Sequence, residues 1–570
     1  MFASKSANAS FMSGIDHAIR LRLNDDQASM KTTRTIVHIL AGFSLVIGAC
    51  ATPPATTAPV PEPGTVEPAP PTAPVVPAPV PVMNPTLPPV PHVAGPLAIK
   101  VIYPPAEQVI QSRDSNFVFG SVGNGDAALT INGVLTPVWP NGAFMAWLAN
   151  PPRDNPVYDI VARTGADSAR IVHPIKLAPP PPDTPPVPDT ITPVTPPQYA
   201  TLIGPPAYAS DSERVVTGYA LTGGIQRWFL LPNTVVKVIG TKGSDVYVRL
   251  DTMQTIRIAK ADVKIDSAGA QPPQTVASAF KVENTDQWTD VVIPINARPA
   301  FLVEEGPTSM TLTLYGTRGP SARQPTVTPP DTSYVRTIAS FSEGPQMQYV
   351  FSLAKPVFGY QFLWEDGKFT FRIRKPPAID AADPLKGLTI TVDPGHPPIG
   401  ATGPTGLWEP EAVLAVGLKL RDLLQAKGVN VVMTRTTMDP VDLNLRETIS
   451  RRANSHAFVS IHLNAVPDGV NPFRAQGTAT YHYYLHSAPL AFAVQKASVP
   501  RLGLPDNGVK RENFAVVRGT WMPSILVEGA FIIMPDQEAA LRTPEYQERY
   551  AQGILDGLEA YFRSLASSGN

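Results

Sequence analysis

The chain has 570 residues, a length that exceeds one hydrophobic core and predicts about three or four domains. Its formal net charge of −1 offers no electrostatic basis for nucleic-acid binding, so we expect no nucleic-acid partner. The 66 prolines far exceed the usual share of about 5%, and the single cysteine, Cys50, excludes an intramolecular disulfide.

The sequence that begins at Met30 has the pattern of a secretory signal. A basic start, MKTTR, precedes an apolar run at 36–46, which is too short for a membrane span of about 20 residues. The letters IGAC that follow resemble a bacterial lipobox, in which the signal is cleaved before the cysteine and the cysteine is acylated. We therefore expect 30–49 to be a lipoprotein signal peptide and Cys50 to attach the chain to a membrane, and we interpret 1–29 as a mis-assigned start. The alternative is an ordinary secretory signal with an incidental cysteine.

Residues 50–96 predict a stalk. About one residue in three is proline, which favours extended polyproline II, a semi-rigid spacer that rises about 3.1 Å per residue. Ala51, rather than an aspartate, follows the cysteine. By resemblance to sorted lipoproteins, this favours the outer membrane of a two-membrane cell, with the protein facing the periplasm; in a single-membrane cell it would lie on the outer face of the plasma membrane.

Three segments of short, apolar-alternating strands follow the stalk. Residues 97–177 resemble a bacterial immunoglobulin-like sandwich, with strands such as NFVFGSV and VYDIVART. A proline-rich linker is predicted at 178–197, an SH3-like β module at 198–268 and a further β-sandwich at 272–378. None of the three segments has a His, Cys, Asp or Glu cluster with ligand spacing, so we interpret them as structural or binding modules without chemistry.

From about residue 385, strands alternate with amphipathic helices. GLTITVD, VNVVMT, AFVSIHLN and SILVEGAF predict buried strands, and EAVLAVGLKLRDLLQAKG predicts a helix that ends at Gly428. A last helix is predicted at 543–566. The pattern predicts an α/β domain at 385–566 with a mostly parallel sheet flanked by helices. In such sheets, ligands bind beyond the carboxyl ends of the strands.

Imidazole and carboxylate groups fall at that edge of the predicted sheet. His396 follows the first strand in TITVDPGH, His462 lies near the end of VSIHLNA, and Glu528 lies in SILVEGAF. Glu409 lies at the start of the helix after the first strand. Two histidines and one glutamate form an established catalytic Zn²⁺ set, with a further position for water whose pKa the metal lowers to about 7. The remaining carboxylate can take the proton of that water and pass it to a leaving amine.

Several of these residues have structural alternatives. Glu409 has the position of a helix N-terminal carboxylate favoured by the helix dipole, and Glu411 competes with it as a ligand. Glu528 is harder to explain structurally, because a carboxylate within an apolar strand is costly unless it is paired. His482 and His486 are four residues apart in a strand-like run, where that spacing does not bring two side chains together, and we interpret them as structural.

Five motifs in this region have the order and spacing of the zinc-dependent N-acetylmuramoyl-L-alanine amidases (the amidase 3 family): TVDPGH, GPTGLWE, VVMTRTTMD, LNLRETISRRANSHAFVSIHLNA and PSILVEGAFI. The chain resembles this family over 385–566. The resemblance implies that His396, Glu409 and His462 are zinc ligands and that Glu528 is the catalytic glutamate.

The family pattern also bears on the two glutamates at the start of the helix. The family's glutamate follows a glycine by three residues, as Glu409 follows Gly406, which decides against Glu411. The chain departs from the family after DPGH, where Pro397 and Pro398 replace the usual two glycines. Because proline fixes φ and lacks a backbone donor, we expect this loop to differ, with consequences for substrate fit or rate.

By this resemblance, the protein is expected to be a peptidoglycan hydrolase that uses zinc-activated water. The bond cleaved would be the amide between the lactyl group of N-acetylmuramic acid and the L-alanine of the stem peptide. Residues 272–378 then resemble the β-sandwich modules that precede some of these amidases. Two alternatives stay open: a lipoprotein that binds peptidoglycan and carries an inactive amidase domain, and a zinc peptidase that cuts within the stem peptide.

Some amidases of this family carry an extra helix after the second zinc histidine, and this helix plugs the site until an activator withdraws it. Here about 14 residues separate His462 from the strand that starts near Gly477, and they include two prolines and one glycine. An isolated helix needs about 12 residues or more even in favourable sequences. We therefore expect an open groove, no obligatory activator, and zinc that substrate can reach in an isolated catalytic domain.

The substitution Cys50→Ser is expected to prevent lipid attachment, because it removes the thiol that would be acylated. The protein should then move from the membrane pellet to the soluble periplasmic fraction, as measured by fractionation and immunoblotting. Unchanged membrane association of this variant would refute the lipobox interpretation.

Overall fold

A computed structural model describes residues 81–179, 190–204, 215–221, 226–266, 274–320 and 325–567. The expected signal peptide, Cys50, the stalk up to residue 80 and the central part of the linker lie outside these described residues. Within them, no helix combines the length and apolar character needed to cross a membrane. The expected multidomain architecture is confirmed, since β-sheets fill the N-terminal part and a mixed α/β domain follows.

The first β module is a sandwich. Its strands are β1 (Lys100–Tyr103), β2 (Val109–Ile110), β3 (Ser115–Ser121), β4 (Ala128–Ile131), β5 (Val134–Thr136), β6 (Ala143–Ala149), β7 (Val157–Thr164), β8 (Asp167–Pro174) and β9 (Lys176–Leu177). They form sheets with the orders β1-β3-β6 and β5-β4-β7-β8, both antiparallel, and the parallel pair β2-β9. Alternation along β3 places Val118 in the module's own core and Phe117 and Phe119 on the opposite face.

The second β module is a single antiparallel sheet. Its strands are β10 (Thr192–Leu202), β11 (Val216–Tyr219), β12 (Gln226–Leu230), β13 (Val235–Lys242), β14 (Asp245–Arg249), β15 (Thr255–Ala259) and β16 (Val263–Ile265). Their order is β12-β11-β15-β14-β13-β10-β16. Strand β10 begins within the segment that the sequence predicts to be linker, because Thr192 and Pro193 pair with Thr241 and Gly240 of β13.

The third β module is a sandwich of two antiparallel sheets. Its strands are β17 (Thr275–Val276), β18 (Lys281–Asn284), β19 (Trp288–Pro294), β20 (Ala300–Gly306), β21 (Ser309–Tyr315), β22 (Thr317–Arg318), β23 (Val335–Glu343), β24 (Gln346–Leu353), β25 (Gly359–Glu365) and β26 (Lys368–Arg374). The orders are β18-β19-β26-β25 and β20-β21-β24-β23, and β17 pairs with β22. Apolar side chains from both four-stranded sheets fill one core between them.

The C-terminal domain alternates strands and helices, as the sequence predicts. Its elements are β27 (Thr389–Pro394), α1 (Glu409–Ala426), β28 (Asn430–Met433), α2 (Leu443–Arg452), β29 (Ala457–Asn464), α3 (Pro472–Ala475), β30 (Thr478–His482), α4 (Ala488–Leu502), β31 (Asp506–Arg511), β32 (Ser524–Phe531), α5 (Pro535–Leu541) and α6 (Pro544–Ser567). The strand order is β28-β27-β29-β32-β30-β31. The first four strands in this order are parallel, while β30 runs antiparallel to β32 and parallel to β31.

Helices cover both faces of this sheet because its central strands are apolar on both sides. Ile390, Val459 and Val527 pack with α1, α4 and α6 on one face. Phe458 and Leu526, which point the other way, pack with Met522 near α2. The predicted C-terminal glycine of α1 is present as well, since Gly428 follows the helix with φ of 75°.

The segment just before the first β module lies against the C-terminal domain. Leu87 and Val90 are buried in the core that contains α4 and α6. Asn84 Nδ2 and Thr86 Oγ1 donate to the Gly503 carbonyl oxygen at 2.9 and 2.7 Å. The sequence predicts a stalk that reaches residue 96, but burial of these two apolar side chains holds the end of that segment on the domain instead.

The first β module also contacts the loop that follows β29. Asp468 accepts hydrogen bonds from Tyr103 Oη, from Asn116 Nδ2 at 3.0 Å and from the Gln111 backbone N–H at 2.9 Å. Phe117 on the outward face of β3 belongs to the same apolar core as the strands of the C-terminal domain. A domain cut near residue 380 would expose this apolar face to water, so the module forms part of the folded unit.

The third β module contacts the C-terminal domain through buried charges. Glu305 accepts from His486 Nδ1 and from the His486 backbone N–H, both at 2.9 Å, while His486 Nε2 lies 3.3 Å from the Met522 carbonyl oxygen. Both ring nitrogens of His486 thus lie close to oxygen atoms, one in the third β module and one in the C-terminal domain. Arg374 donates to the carbonyl oxygens of Ser455 and Trp521 at 2.5 and 2.9 Å.

The substitution Asp468→Ala is expected to weaken docking of the first module, because it leaves the buried Asn116 Nδ2 without its acceptor. Such an unsatisfied buried group costs about 1–3 kcal/mol, so the apparent melting temperature should fall and the loop after β29 should exchange amide hydrogens faster. The matched control is Asp167→Ala, which removes an exposed aspartate of the same module. Equal melting and exchange in both variants would contradict this role for Asp468.

Candidate metal centre

The four residues singled out in the sequence lie at one edge of the sheet. His396 follows β27 by two residues, and His462 lies near the end of the neighbouring strand β29. Glu528 of β32 is directly opposite His462 in the strand register, and Glu409 is the first residue of α1. Because the parallel strands end together, distant segments of the chain meet here, as the rule for ligand sites in such sheets predicts.

Three of these side chains converge on a common point. One ligand atom from each of His396, Glu409 and His462 lies within 4.8 Å of the other two. Glu409 Oε1 is 3.1 Å from His396 Nε2 and 3.2 Å from His462 Nδ1. The imidazole rings are nearly perpendicular, at 78°, with centroids 4.8 Å apart. Among the residues that the structure describes, no other group of three or more His, Cys, Asp or Glu side chains is spaced closely enough to hold a metal ion.

Backbone donors fix the carboxylate of Glu409. Oε1 accepts from the Leu463 N–H at 3.0 Å, and Oε2 accepts from the Ala401 N–H at 2.9 Å. The side chain is only 2% exposed. Burial by itself raises the pKa of this carboxyl, but the charges and hydrogen bonds of His396 and His462 outweigh that effect and lower its pKa. Glu409 is therefore held as a carboxylate between the two rings.

The ring of His462 depends on a neighbouring glycine. A Cβ on Gly395 would lie 2.4 Å from His462 Nε2, so no larger residue fits at this position. The backbone around His462 is also fixed, because Tyr550 Oη donates to its carbonyl oxygen at 3.1 Å and to that of Val527 at 2.8 Å. Burial is the main cause of the lowered pKa of His462, which favours the neutral imidazole that binds metals.

Two arginines hold the loop that carries His396. Arg435 donates to the carbonyl oxygens of Pro394 and Gly395, both at 2.8 Å. Arg446 donates to the His396 carbonyl oxygen at 2.8 Å and to Asp393 Oδ1 at 2.6 Å. The sequence reasoning missed these residues. Their signal lies in the motifs VVMTRTTMD and LNLRETISRRANS, where Arg435 follows an apolar strand and Arg446 lies one turn into a helix.

Asp393 anchors this arrangement from the end of β27. In addition to Arg446, its carboxylate accepts from Thr434 Oγ1 at 2.5 Å and from Ser460 Oγ at 2.6 Å, and it is fully buried. Burial alone raises the pKa of this carboxyl, but the charge of Arg446 and the three hydrogen bonds lower it overall. One carboxylate thereby connects β27, β29 and α2 beneath the metal-ligand group.

Glu528 faces this group from β32. Its Oε2 is buried and accepts no hydrogen bond within the part of the chain that the structure describes. Burial and the negative charge of Glu409 raise the pKa of Glu528 well above its usual range, against a smaller opposing effect of Lys510. A carboxyl group is thus present on the strand next to His462, close enough to Glu409 for the two charges to interact.

The remaining sequence candidates lie elsewhere. Glu411 is exposed on α1 and does not join the group. His482 Nδ1 lies 3.0 Å from the Tyr484 carbonyl oxygen, and His486 contacts the third β module, so neither faces the metal-ligand group. Pro397 and Pro398 follow His396 directly and are both joined by cis peptide bonds.

The donor set and its spacing fit a zinc ion. Two imidazole nitrogens and one carboxylate oxygen are a catalytic zinc set. Ligand atoms about 2.0–2.1 Å from a tetrahedral ion lie roughly 3.3 Å apart. Glu409 Oε1 lies 3.1 and 3.2 Å from the two ring nitrogens, close to that value, while the full set of ligand atoms spans up to 4.8 Å, so binding an ion would draw the two imidazoles slightly together.

Comparison with known proteins identifies relatives of this domain. Residues 390–560 match the Amidase_3 family model, described as N-acetylmuramoyl-L-alanine amidase. The chain is 36% identical over 194 residues to the uncharacterised protein YqiI of Bacillus subtilis strain 168, covering 33% of this chain and 90% of YqiI. It is 35% identical over 189 residues to N-acetylmuramoyl-L-alanine amidase LytC of the same organism, covering 32% of this chain but only 37% of LytC.

Among solved structures, the N-acetylmuramoyl-L-alanine amidase AmiC2 of Nostoc punctiforme matches with 33% sequence identity and a TM-score of 0.29. The match covers 31% of this chain and 98% of that structure.

The substitution Asp393→Asn is expected to destabilise the fold, because Arg446 stays buried without its charged partner. Breaking a buried pair from one side typically costs about 3–5 kcal/mol, which chemical denaturation of the C-terminal domain would detect. Asp439→Asn, in the exposed loop before α2, is the control and should change the free energy of unfolding by less than about 0.5 kcal/mol. Equal stability of the two variants would show that Asp393 does not anchor the site.

Proposed function

We propose that this chain, which belongs to the N-acetylmuramoyl-L-alanine amidase family through residues 390–560, hydrolyses peptidoglycan. The bond cleaved is the amide between the lactyl group of N-acetylmuramic acid and the L-alanine of the stem peptide. The observation that carries the proposal is the convergence of His396, Glu409 and His462 at one sheet edge, with Glu528 opposite His462. A buried carboxyl beside such a ligand set suits amide hydrolysis by metal-activated water, because it can move the proton of that water.

The ligand group would hold Zn²⁺ through His396, Glu409 and His462. When bound, the ion would polarise the amide carbonyl and acidify water. The chain's own contribution is to present three donors whose positions are already fixed by Ala401, Leu463 and the Gly395 contact. Such pre-organisation keeps the ligands from having to reorder at the moment of reaction.

Glu528 is proposed as the proton carrier. The positive charge of a bound metal ion would oppose the effect of Glu409 and favour the ionised form of Glu528. The carboxylate of Glu528 then takes a proton from the attacking water as the new carbon–oxygen bond forms at the amide carbonyl. The carbon–nitrogen bond then breaks, and Glu528 delivers the proton to the departing amine of L-alanine. Its Oε2 is suited to this exchange because it is not engaged in a hydrogen bond with any described residue.

The proposal includes a lipid anchor at Cys50 and a location on the outer membrane, facing the periplasm. These rest on the lipobox resemblance and on Ala51 after the cysteine. Peptidoglycan is then the substrate within reach of the anchored chain, and no activator protein is required.

The roles of the four residues are tested with the full chain loaded with zinc. His396→Ala and His462→Ala are expected to lose both bound zinc and hydrolysis of dye-labelled peptidoglycan, because each removes a metal ligand. Glu528→Gln is expected to keep zinc and to lose about 10²–10⁴-fold in turnover, because only the proton carrier is removed. Zinc is measured by atomic emission and turnover by dye release.

Two further measurements make this test decisive. Glu411→Gln, an exposed glutamate two residues after Glu409, is the matched control and should retain zinc and activity. Mass spectrometry of the released fragments should show intact stem peptides with a free L-alanine amine; cuts within the peptide would favour a peptidase instead. Near wild-type turnover by Glu528→Gln, or no zinc in the wild-type chain, would overturn the proposal.

A further inference from the structure

The helix that follows β32 is short, and all seven of its residues are buried. This helix, α5, contains three consecutive polar residues, Asp536, Gln537 and Glu538, whose burial is costly unless each has a partner. Gln537 Oε1 accepts from the Phe531 N–H at 2.8 Å, and the backbone N–H of Asn84 interacts with the Asp536 carboxyl. The first two polar residues therefore connect α5 to its own strand and to the segment before the first β module.

Glu538, the third of these residues, binds the loop that leads into Glu409. The Leu407 N–H donates to Glu538 Oε1 at 2.9 Å, and the Thr405 N–H donates to both carboxylate oxygens, at 2.8 and 3.1 Å. Arg542 Nη2 donates to Thr405 Oγ1 at 3.0 Å and lies 3.4 Å from Glu538 Oε1. Because the Glu538 side chain is fully buried, its carboxylate depends on these partners.

The loop folds around this carboxylate as a tight hairpin, here called the 401–408 hairpin. Thr402 and Trp408 form an antiparallel bridge, and the Gly403 N–H donates to the Leu407 carbonyl oxygen at 2.9 Å. A Cβ on Gly403 would lie 2.5 Å from the Glu538 carboxyl carbon, so glycine is what permits this close approach. The hairpin is thus shaped to the carboxylate that it binds.

Both ends of the 401–408 hairpin contact the metal-ligand residue Glu409. Glu409 follows Trp408 directly, and its N–H donates to the Ala401 carbonyl oxygen at 2.9 Å. The Ala401 N–H donates in return to Glu409 Oε2, also at 2.9 Å. The orientation of the Glu409 carboxylate therefore depends on the conformation of a hairpin that Glu538 binds.

The hairpin and the carboxylate of Glu538 stabilise each other. Burial raises the pKa of Glu538, and the N–H groups of Leu407 and Thr405 and the charge of Arg542 oppose that rise. Because the folded hairpin favours the carboxylate, the carboxylate favours the folded hairpin by linkage. A neutral amide in place of Glu538 would lose this charge and would turn an NH₂ group toward a backbone N–H.

We propose that Glu538 is a positioning residue of the candidate metal centre, whose carboxylate fixes the 401–408 hairpin and thereby the orientation of Glu409. The inference rests on the proposed function in so far as His396, Glu409 and His462 bind Zn²⁺. Glu538 binds the backbone of the hairpin, so it acts on the ion through Glu409. Outer partners of metal ligands typically contribute about 10–100-fold in metal affinity.

The test measures the zinc affinity of the full chain by competition with a chromophoric chelator. Glu538→Gln is expected to weaken zinc binding by about 10–100-fold, because the hairpin no longer holds Glu409 in place. Gly403→Ala keeps Glu538 but places a Cβ against its carboxyl group, and it should also weaken zinc binding. This second variant covers the case that Glu538→Gln does not fold.

A second readout uses the metal-free chain. Hydrogen exchange at the Ala401 amide, followed by mass spectrometry at residue resolution, should be faster in Glu538→Gln and in Gly403→Ala than in the wild-type chain. Ala401 is the informative position because its N–H bonds to Glu409, whereas the Thr405 and Leu407 amides lose their acceptor directly in Glu538→Gln. In a chain that binds no zinc, this exchange still decides whether Glu538 orders the hairpin.

The matched control is Asp536→Asn, which changes another buried carboxyl of α5 whose contact is with Asn84. It should bind zinc as tightly as the wild-type chain, even where its melting temperature falls as far as that of Glu538→Gln. Wild-type zinc affinity or wild-type Ala401 exchange in both Glu538→Gln and Gly403→Ala, or an equal loss in Asp536→Asn, would overturn the proposal. Zinc binding that depends on Glu538, in a wild-type chain that does not hydrolyse peptidoglycan, would refute the proposed function and not this one.

Discussion

The geometry of the candidate metal centre depends on the buried contact between Asp393 and Arg446. His396 has a φ of +59°, a conformation that costs a non-glycine residue energy unless its surroundings hold it there. Arg446 binds the His396 carbonyl oxygen, and Asp393 in turn binds Arg446. A candidate metal ligand on a strained loop is thereby fixed by a charge pair that belongs to the core of the sheet. This explains how a loop with two consecutive prolines still directs its histidine toward Glu409.

The convergence of the site could be predicted from the sequence because it follows from sheet topology. His396, His462 and Glu528 each come at or near the end of an apolar strand, and parallel strands end at one edge. The supporting contacts could not be predicted in this way. Arg435 and Arg446 resemble ordinary surface arginines in the sequence, and only the folded chain shows that they bind backbone carbonyl oxygens of the 394–396 loop.

The packing of the β modules was the larger departure from expectation. The sequence shows their strands clearly, since alternation within a strand is a local pattern. Docking between modules is not local: Tyr103 and Asp468 are 365 positions apart, and no periodicity links them. The apolar residues on both faces of β3, including Phe117, indicate that its outward face is also buried. The sequence does not indicate which part of the chain covers that face.

The contacts between the β modules and the C-terminal domain bear on which parts of the chain restrict that domain. A stalk alone would limit only how far the C-terminal domain travels from its anchor. The first β module, however, contacts Asp468 in the loop that begins at the end of β29, only six residues after His462. The other two modules enclose a cavity against the same domain. The conformation of the loop that follows His462 therefore depends on the first β module as well as on the α/β domain, so the surroundings of the candidate site are not determined by the α/β domain alone.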